Sequence, residues 1–231
     1  MGPNCIVNSQ RVVNMLKIKD LSVNIEKTPI LRDVSLALPV GGVVGLIGRN
    51  GAGKTTLMRT VMGLMPYASG SAYIGGVDMA EIEPHHRAGL LIGYMPEDRR
   101  LIPDLTVQEN ILVPAWASKL PGYQKRLAWI YKIMPEVAAF SSRRAMQLSG
   151  GQQKLVALAR ALMSGKKLLL LDEPFEGVAP ALCHRLMEVL HILKSEGLSV
   201  LLSESDYTHS AGLVDNVFVI ERGQIAEKSL P

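Results

Sequence analysis

The residues best suited to chemistry begin at Gly48-Arg49-Asn50-Gly51-Ala52-Gly53-Lys54-Thr55-Thr56, where an apolar run breaks into glycines and ends on a lysine and two threonines. The spacing Gly48-x4-Gly53-Lys54-Thr55 is that of a phosphate-binding loop. Its glycines open φ values that let successive N–H groups converge on phosphate oxygens. Lys54 adds a point charge and Thr55 a hydroxyl for Mg²⁺. A helix expected from 54 to about 64 would present its positive N-terminal end to the same anion.

Two further stretches carry reactive groups. Asp172 and Glu173 follow four consecutive leucines and stand where an open α/β sheet places its ligand groups, at the carboxyl end of a strand. Asp172 there can hold Mg²⁺ beside Thr55, and Glu173 can orient or deprotonate a water for attack on a γ-phosphate. Leu148-Ser149-Gly150-Gly151-Gln152 puts a hydroxyl and free N–H groups at the start of a helix, a second anion site by the same physics. One triphosphate has no obvious use for two such sites on one chain, so the second is expected to serve a nucleotide held by another subunit.

The elements that position these groups are readable from periodicity. Val43, Val44, Leu46 and Ile47 form the buried strand that a phosphate loop must follow. Before it, Leu16, Ile18, Leu21, Val23 and Ile25, and then the stretch 30–38, alternate as half-buried strands of a small antiparallel layer, and 71–76 reads as a further hairpin. A strand at 91–95 is broken by Pro96. Thr106 and Glu109 make a capping box, and from 107 to about 164 the pattern is helical, with Trp116, Leu127, Trp129, Ile130, Ile133 and Met134 expected in the core. The all-apolar 168–171 suits a central parallel strand, a helix follows over 181–196 with Gly197 as its cap, and strands at 198–202 and 217–220 complete the alternation. The fold class is α/β with a mainly parallel sheet. One domain is expected from 15 to 231, with a helical subdomain inserted at about 98–164 and residues 1–14 a disordered extension.

Composition narrows the setting. The 231 residues are 48% hydrophobic and 20% charged, and the net charge of +4 comes from scattered residues, which does not argue for nucleic acid. The two cysteines, Cys5 and Cys183, lack metal or redox spacing. No apolar run approaches the roughly 18 residues of a membrane-spanning helix, so work at a membrane would go through a partner.

The order of the loop at 48–55, Leu148-Ser149-Gly150-Gly151-Gln152 and Asp172-Glu173 resembles an ABC-type ATPase, the nucleotide-binding subunit of a transporter, over nearly the whole chain. Tyr94-Met95-Pro96-Glu97-Asp98-Arg99-Arg100, Leu105-Thr106-Val107-Gln108-Glu109-Asn110 and the stretch 172–180 are similar to the importer ATPases for branched-chain amino acids and their urea and amide relatives. The resemblance implies a P-loop NTPase core, ATP and Mg²⁺ as cofactors, and a second ATPase subunit, identical or different. Each ATP would lie between one phosphate loop and the other subunit's residues 149–152. It also implies transmembrane permease subunits, received by the segment from Glu97 into the helical region, indirectly a solute-binding protein, and a cytoplasmic location on the inner face of the cell membrane.

Three positions depart from the family pattern. Glu97 stands where most members have a Gln that senses Mg²⁺ and the attacking water, although the importer subfamily often shows Glu. Ile25 stands where an aromatic stacks on adenine. Ser205, in Ser203-Glu204-Ser205-Asp206, aligns with the switch histidine and cannot be cationic. His209 is either a compensating group or a surface histidine. Slow hydrolysis is expected, with Glu173 retained. The competing readings are a cassette that binds ATP without hydrolysing it, favoured by Ile25 and Ser205 but opposed by Lys54, Thr55, Asp172 and Glu173; an exporter ATPase; and a soluble ABC ATPase acting on ribosomes or DNA.

Overall fold

The computed structural model describes residues 13–206 and 208–228. The extension expected at 1–14 falls outside them up to residue 12. Val13 already accepts a hydrogen bond from Val40 N–H, and the first strand starts at Asn14. This strand, β1 (Asn14–Ile25), pairs antiparallel with β2 (Thr28–Pro39), Leu16 opposite Leu38 and Ile18 opposite Leu36. After a turn, β3 (Val43–Ile47) is buried at every residue and runs into the phosphate loop and α1 (Lys54–Val61). β4 (Ser69–Ile74) returns to the free edge of β1, and β5 (Val77–Asp78) closes the expected hairpin.

β6 (Ile92–Met95) leads into the helical region, which is α2 (Val107–Ala117), α3 (Tyr123–Ile133), α4 (Pro135–Ala139) and α5 (Gly150–Ser164). The capping box at the start of α2 forms as expected: Glu109 N–H donates to Thr106 Oγ1 at 3.2 Å, and Thr106 N–H donates to Glu109 Oε2 at 2.8 Å. β7 (Leu168–Asp172), α6 (Pro180–Ser195), β8 (Ser199–Glu204), β9 (Asn216–Glu221) and β10 (Gln224–Lys228) complete the chain.

The strands form two sheets, an antiparallel one in the order β2-β1-β4-β5 and a larger one in the order β10-β9-β3-β8-β7-β6. Every pairing from β9 to β6 is parallel, and β10 adds an antiparallel edge. Because side chains alternate across a strand, Leu169 and Leu171 join the core beneath the helices while Leu168 and Leu170 join the core shared with the antiparallel sheet and α1. That two-sided burial is why residues 168–171 are apolar without alternation. The antiparallel β layer, the parallel sheet and the helices thus meet the expected α/β architecture.

Trp116 departs from expectation. It is 48% exposed, because it projects from the last turn of α2, beyond the stripe Val107, Ile111 and Ala115 that faces α5. Trp129 and Leu127 are half-buried, and Ile130, Ile133 and Met134 are buried as read. Trp129 packs under Arg126, whose guanidinium carbon lies 3.8 Å from the ring centroid.

Candidate functional site

β3 delivers the chain to the loop, and the sheet fixes the point of departure. Gly48 N–H donates to the Glu204 carbonyl at the end of β8, at 3.0 Å. A Cβ on Gly48 would lie 2.4 Å from the Ile220 carbonyl oxygen, so only glycine passes there. Gly53 caps α1 at φ +115°, outside the reach of other residues. Lys54 is 5% exposed. Its ammonium donates to the carbonyls of Gly48 and Arg49 and lies 2.9 Å from Glu173 Oε1.

Asp172 ends β7 and is fully buried. In register beside it on β8 is Ser203, whose hydroxyl donates to Asp172 Oδ1 at 2.8 Å, and Tyr94 on β6 donates to Oδ2 at 3.4 Å. Burial, then the Asp172 charge, holds the Tyr94 hydroxyl well above its usual range. Glu173, the next residue, adopts φ +49°, a left-handed conformation that costs a non-glycine residue about 1 kcal/mol or more and marks a position held by its surroundings.

Loop and carboxylate share a cleft of about 410 Å³, within the size range of small-molecule sites. Asn50, Gly51, Gly53, Lys54, Thr55 and Thr56 line it from the loop side, and Glu97 and Glu173 from across it. Ile25 and Ile30 form an apolar rim, Ile25 being 43% exposed, so the position expected for adenine stacking does border the cleft and offers only an aliphatic contact. The other expected loop residues are not among the lining: Gly48 and Ala52 are buried in the loop, and Arg49 is exposed. Burial, then the carboxylates Glu176, Asp172, Glu173 and Asp98, raises the Glu97 pKa.

The donors suit a triphosphate: a lysine ammonium, loop N–H groups and the N-terminus of α1 converge on one concavity. Among the described residues no group of three or more His, Cys, Asp or Glu could hold a metal ion by itself. Mg²⁺ would be held as part of a metal–nucleotide pair, with phosphate oxygens supplying ligands beside Thr55 and Glu97; Asp172, expected beside them, is not among the lining but buried, its two oxygens meeting Ser203 and Tyr94.

Ser205 stands just past β8, exposed, its hydroxyl 3.3 Å from Asn50 Oδ1 and 3.4 Å from Glu173 Oε1. It also lines a second cavity of about 340 Å³ together with Glu173, Glu176, Asp206 and His209. His209 is exposed and lies against Phe175, ring centroids 5.6 Å apart. Residues 208–213 form turns. Glu204, 3% exposed, accepts a hydrogen bond from Ser210 Oγ, and burial pushes its carboxyl up to about 7.

Residues 149–152 stay apart from this cleft. Ser149 caps α5 by accepting from Gln152 N–H, and Gln152 Oε1 accepts from Ser149 N–H. Ser149 and Gly150 are exposed, Gly151 and Gln152 half-buried.

Three contributors escaped the sequence reading: Tyr94, Ser203 and Lys154. The signal for Ser203 was a hydroxyl directly after the apolar run 200–202, one residue before Glu204. For Lys154 it was a charge one turn before Leu158 on the apolar face of α5. Lys154 is 2% exposed, and its ammonium donates to the carbonyls of Glu173, at 2.8 Å, and Glu176. Burial, then Arg99, lowers its pKa, while Glu176 and Glu173 act against that.

The family described as ABC transporter matches residues 31–176. The chain is 36% identical over 211 residues to the high-affinity branched-chain amino acid transport ATP-binding protein BraG of Pseudomonas aeruginosa, covering 91% of each. It is 30% identical to the lipopolysaccharide export system ATP-binding protein LptB of Haemophilus influenzae, covering 95% of this chain and 92% of that one. Among solved structures, the dimeric post-hydrolysis state of the ATP-binding cassette MJ0796, bound to ADP and Pi, superposes with a TM-score of 0.83 at 25% identity, over 94% of this chain and 99% of that one.

Proposed function

This chain belongs to the ABC transporter family as one of its ATP-hydrolysing subunits, and from that premise we propose that it couples ATP hydrolysis to the import of branched-chain amino acids or related small polar solutes. The observation that carries the import reading is the 36% identity to a branched-chain amino acid transport subunit along 91% of both chains. The 30% identity to a lipopolysaccharide export subunit supports the second reading, an exporter motor.

The chemistry follows from the cleft. The loop N–H groups and Lys54 would bind and neutralise the phosphates, and Thr55 and Glu97, with Asp172 behind them, would hold Mg²⁺, whose chemistry there would be polarisation of the γ-phosphate. Glu173 Oε1 accepts the proton of, or orients, the attacking water. Lys54 has to exchange part of its hold on Glu173 for the phosphate. Ser205 contributes a hydroxyl, not a cation, beside Glu173, and slow turnover is the expected consequence.

Two copies would place residues 149–152 of each on the nucleotide of the other. The groove bordered by Arg100, Pro103 and Met146, with Ile102 and Met146 exposed beside it, suits a short amphipathic segment of a membrane subunit. Among the described residues no helix is long and apolar enough to cross a membrane, so a permease partner would supply the membrane attachment. Affinity purification of the tagged chain from its native membranes tests this. Recovery of a permease that takes up leucine or an amide when reconstituted with the chain supports import, and recovery of a lipid-extracting permease assigns export.

A further inference from the structure

The backbone of Glu173 is gripped at its N–H and at its carbonyl by side chains of two elements distant in sequence. From β8, Ser203 Oγ accepts the Glu173 N–H at 3.1 Å while donating to Asp172 Oδ1 at 2.8 Å, so one hydroxyl ties the two acidic residues together. From α5, the Lys154 ammonium donates to the Glu173 carbonyl at 2.8 Å and to the Glu176 carbonyl, bracketing the turn in which Glu176 N–H also meets the Glu173 carbonyl at 3.3 Å. Both side chains are at least 98% buried. Glu173 itself lies outside β7, at φ +49°, so the sheet does not fix its direction.

We propose that Ser203 and Lys154 are positioning residues that aim the Glu173 carboxylate into the cleft by holding the two peptide units that flank its Cα. A buried ammonium carries a desolvation cost that methionine, of similar length, would not. Stability alone does not call for one here, whereas directing two carbonyls of a left-handed turn does. Neither side chain lines the cleft, so neither would touch a nucleotide held there. Lys154 also stands in the first turns of the helix that begins with residues 149–152, so the grip links Glu173 to the segment expected to meet the other subunit's nucleotide.

The proposal rests on Glu173 activating the water, and the test separates the two claims. In the full chain, kcat, KM for MgATP, affinity for the fluorescent probe TNP-ATP and thermal midpoint are measured for Ser203→Ala, Ser203→Thr, Lys154→Met, Lys154→Arg and Glu173→Gln. Ser203→Ala and Lys154→Met should each lower kcat about tenfold or more with probe affinity within about twofold. Ser203→Thr and Lys154→Arg, which keep the hydroxyl and the charge, should recover most of it. The double variant Ser203→Ala/Lys154→Met should cost little more than the worse single change, since both fix the backbone of one residue.

Unchanged kcat in folded Ser203→Ala, a loss that tracks probe affinity, or no recovery in the conservative variants overturns the proposal. Should Lys154→Met not fold, Ser203→Ala, which removes a single oxygen, decides it. If Glu173→Gln leaves turnover intact, the role of Glu173 fails and the proposal with it. If Glu173→Gln abolishes turnover and the other variants do not lower it, only the positioning roles fail.

Discussion

The ammonium of Lys54 lies 2.9 Å from Oε1 of Glu173, with both side chains 5% exposed. One cation therefore serves both halves of the cleft: it stands at the mouth of the phosphate loop and compensates the buried charge of the acid across from it. Removing one partner of such a pair is more costly than the pair itself is worth, because the other charge is left buried and alone.

Lys54→Ala should accordingly do two things. It should abolish measurable TNP-ATP binding, and it should lower unfolding stability in the absence of nucleotide by on the order of 3 kcal/mol. Lys54→Ala/Glu173→Gln should regain part of that stability without regaining binding, as read by thermal denaturation. A double variant as unstable as Lys54→Ala would show that the pair is not what the stability depends on.

Ile25 borders the cleft with an aliphatic side chain. Replacing it with Trp supplies a ring face for the adenine, worth about 0.5–1.5 kcal/mol, so ATP affinity should rise severalfold, with little change for a triphosphate lacking a base. Equal ATP affinity in the two proteins, by calorimetric titration, would place the base elsewhere.

Glu204 supplies a pH dependence. Burial pushes its carboxyl up from 4.5 to about 7, against the opposing effect of the Ser210 hydroxyl. The folded state then binds the proton more tightly than the unfolded chain does. The stability this contributes is complete below pH 4.5 and is lost as pH rises through about 7. Glu204→Gln keeps an oxygen for Ser210 and does not ionise, so its stability relative to the parent should rise between about pH 5 and about pH 8. A constant difference across that range, in thermal melts, would show that Glu204 titrates normally.

The phosphate loop, Asp172-Glu173 and residues 148–152 were legible because each is a contiguous run whose chemistry depends on its own spacing. The same holds for the α/β order, since period-2 and period-3.6 patterns and the capping box at Thr106 are local signals. Ser203, Tyr94 and Lys154 were not legible as partners of the acidic pair. They reach it from β8, β6 and α5, and only the order β8-β7-β6 and the seating of α5 bring them there. Trp116 was misread because apolar residues occur around much of α2, so composition did not reveal which side α5 would cover. The division between the cleft and residues 149–152 followed from chemistry, as two anion sites that one nucleotide could not both use.

The central claim is that Glu173 drives hydrolysis and that Ser205, 3.4 Å from it, limits the rate. The most direct measurement is steady-state ATPase activity with Mg²⁺ for the parent chain, Glu173→Gln and Ser205→His, each alongside TNP-ATP binding. The account predicts slow turnover in the parent, none in Glu173→Gln with binding retained, and a faster rate in Ser205→His by roughly tenfold or more. Turnover in Glu173→Gln equal to the parent would contradict it.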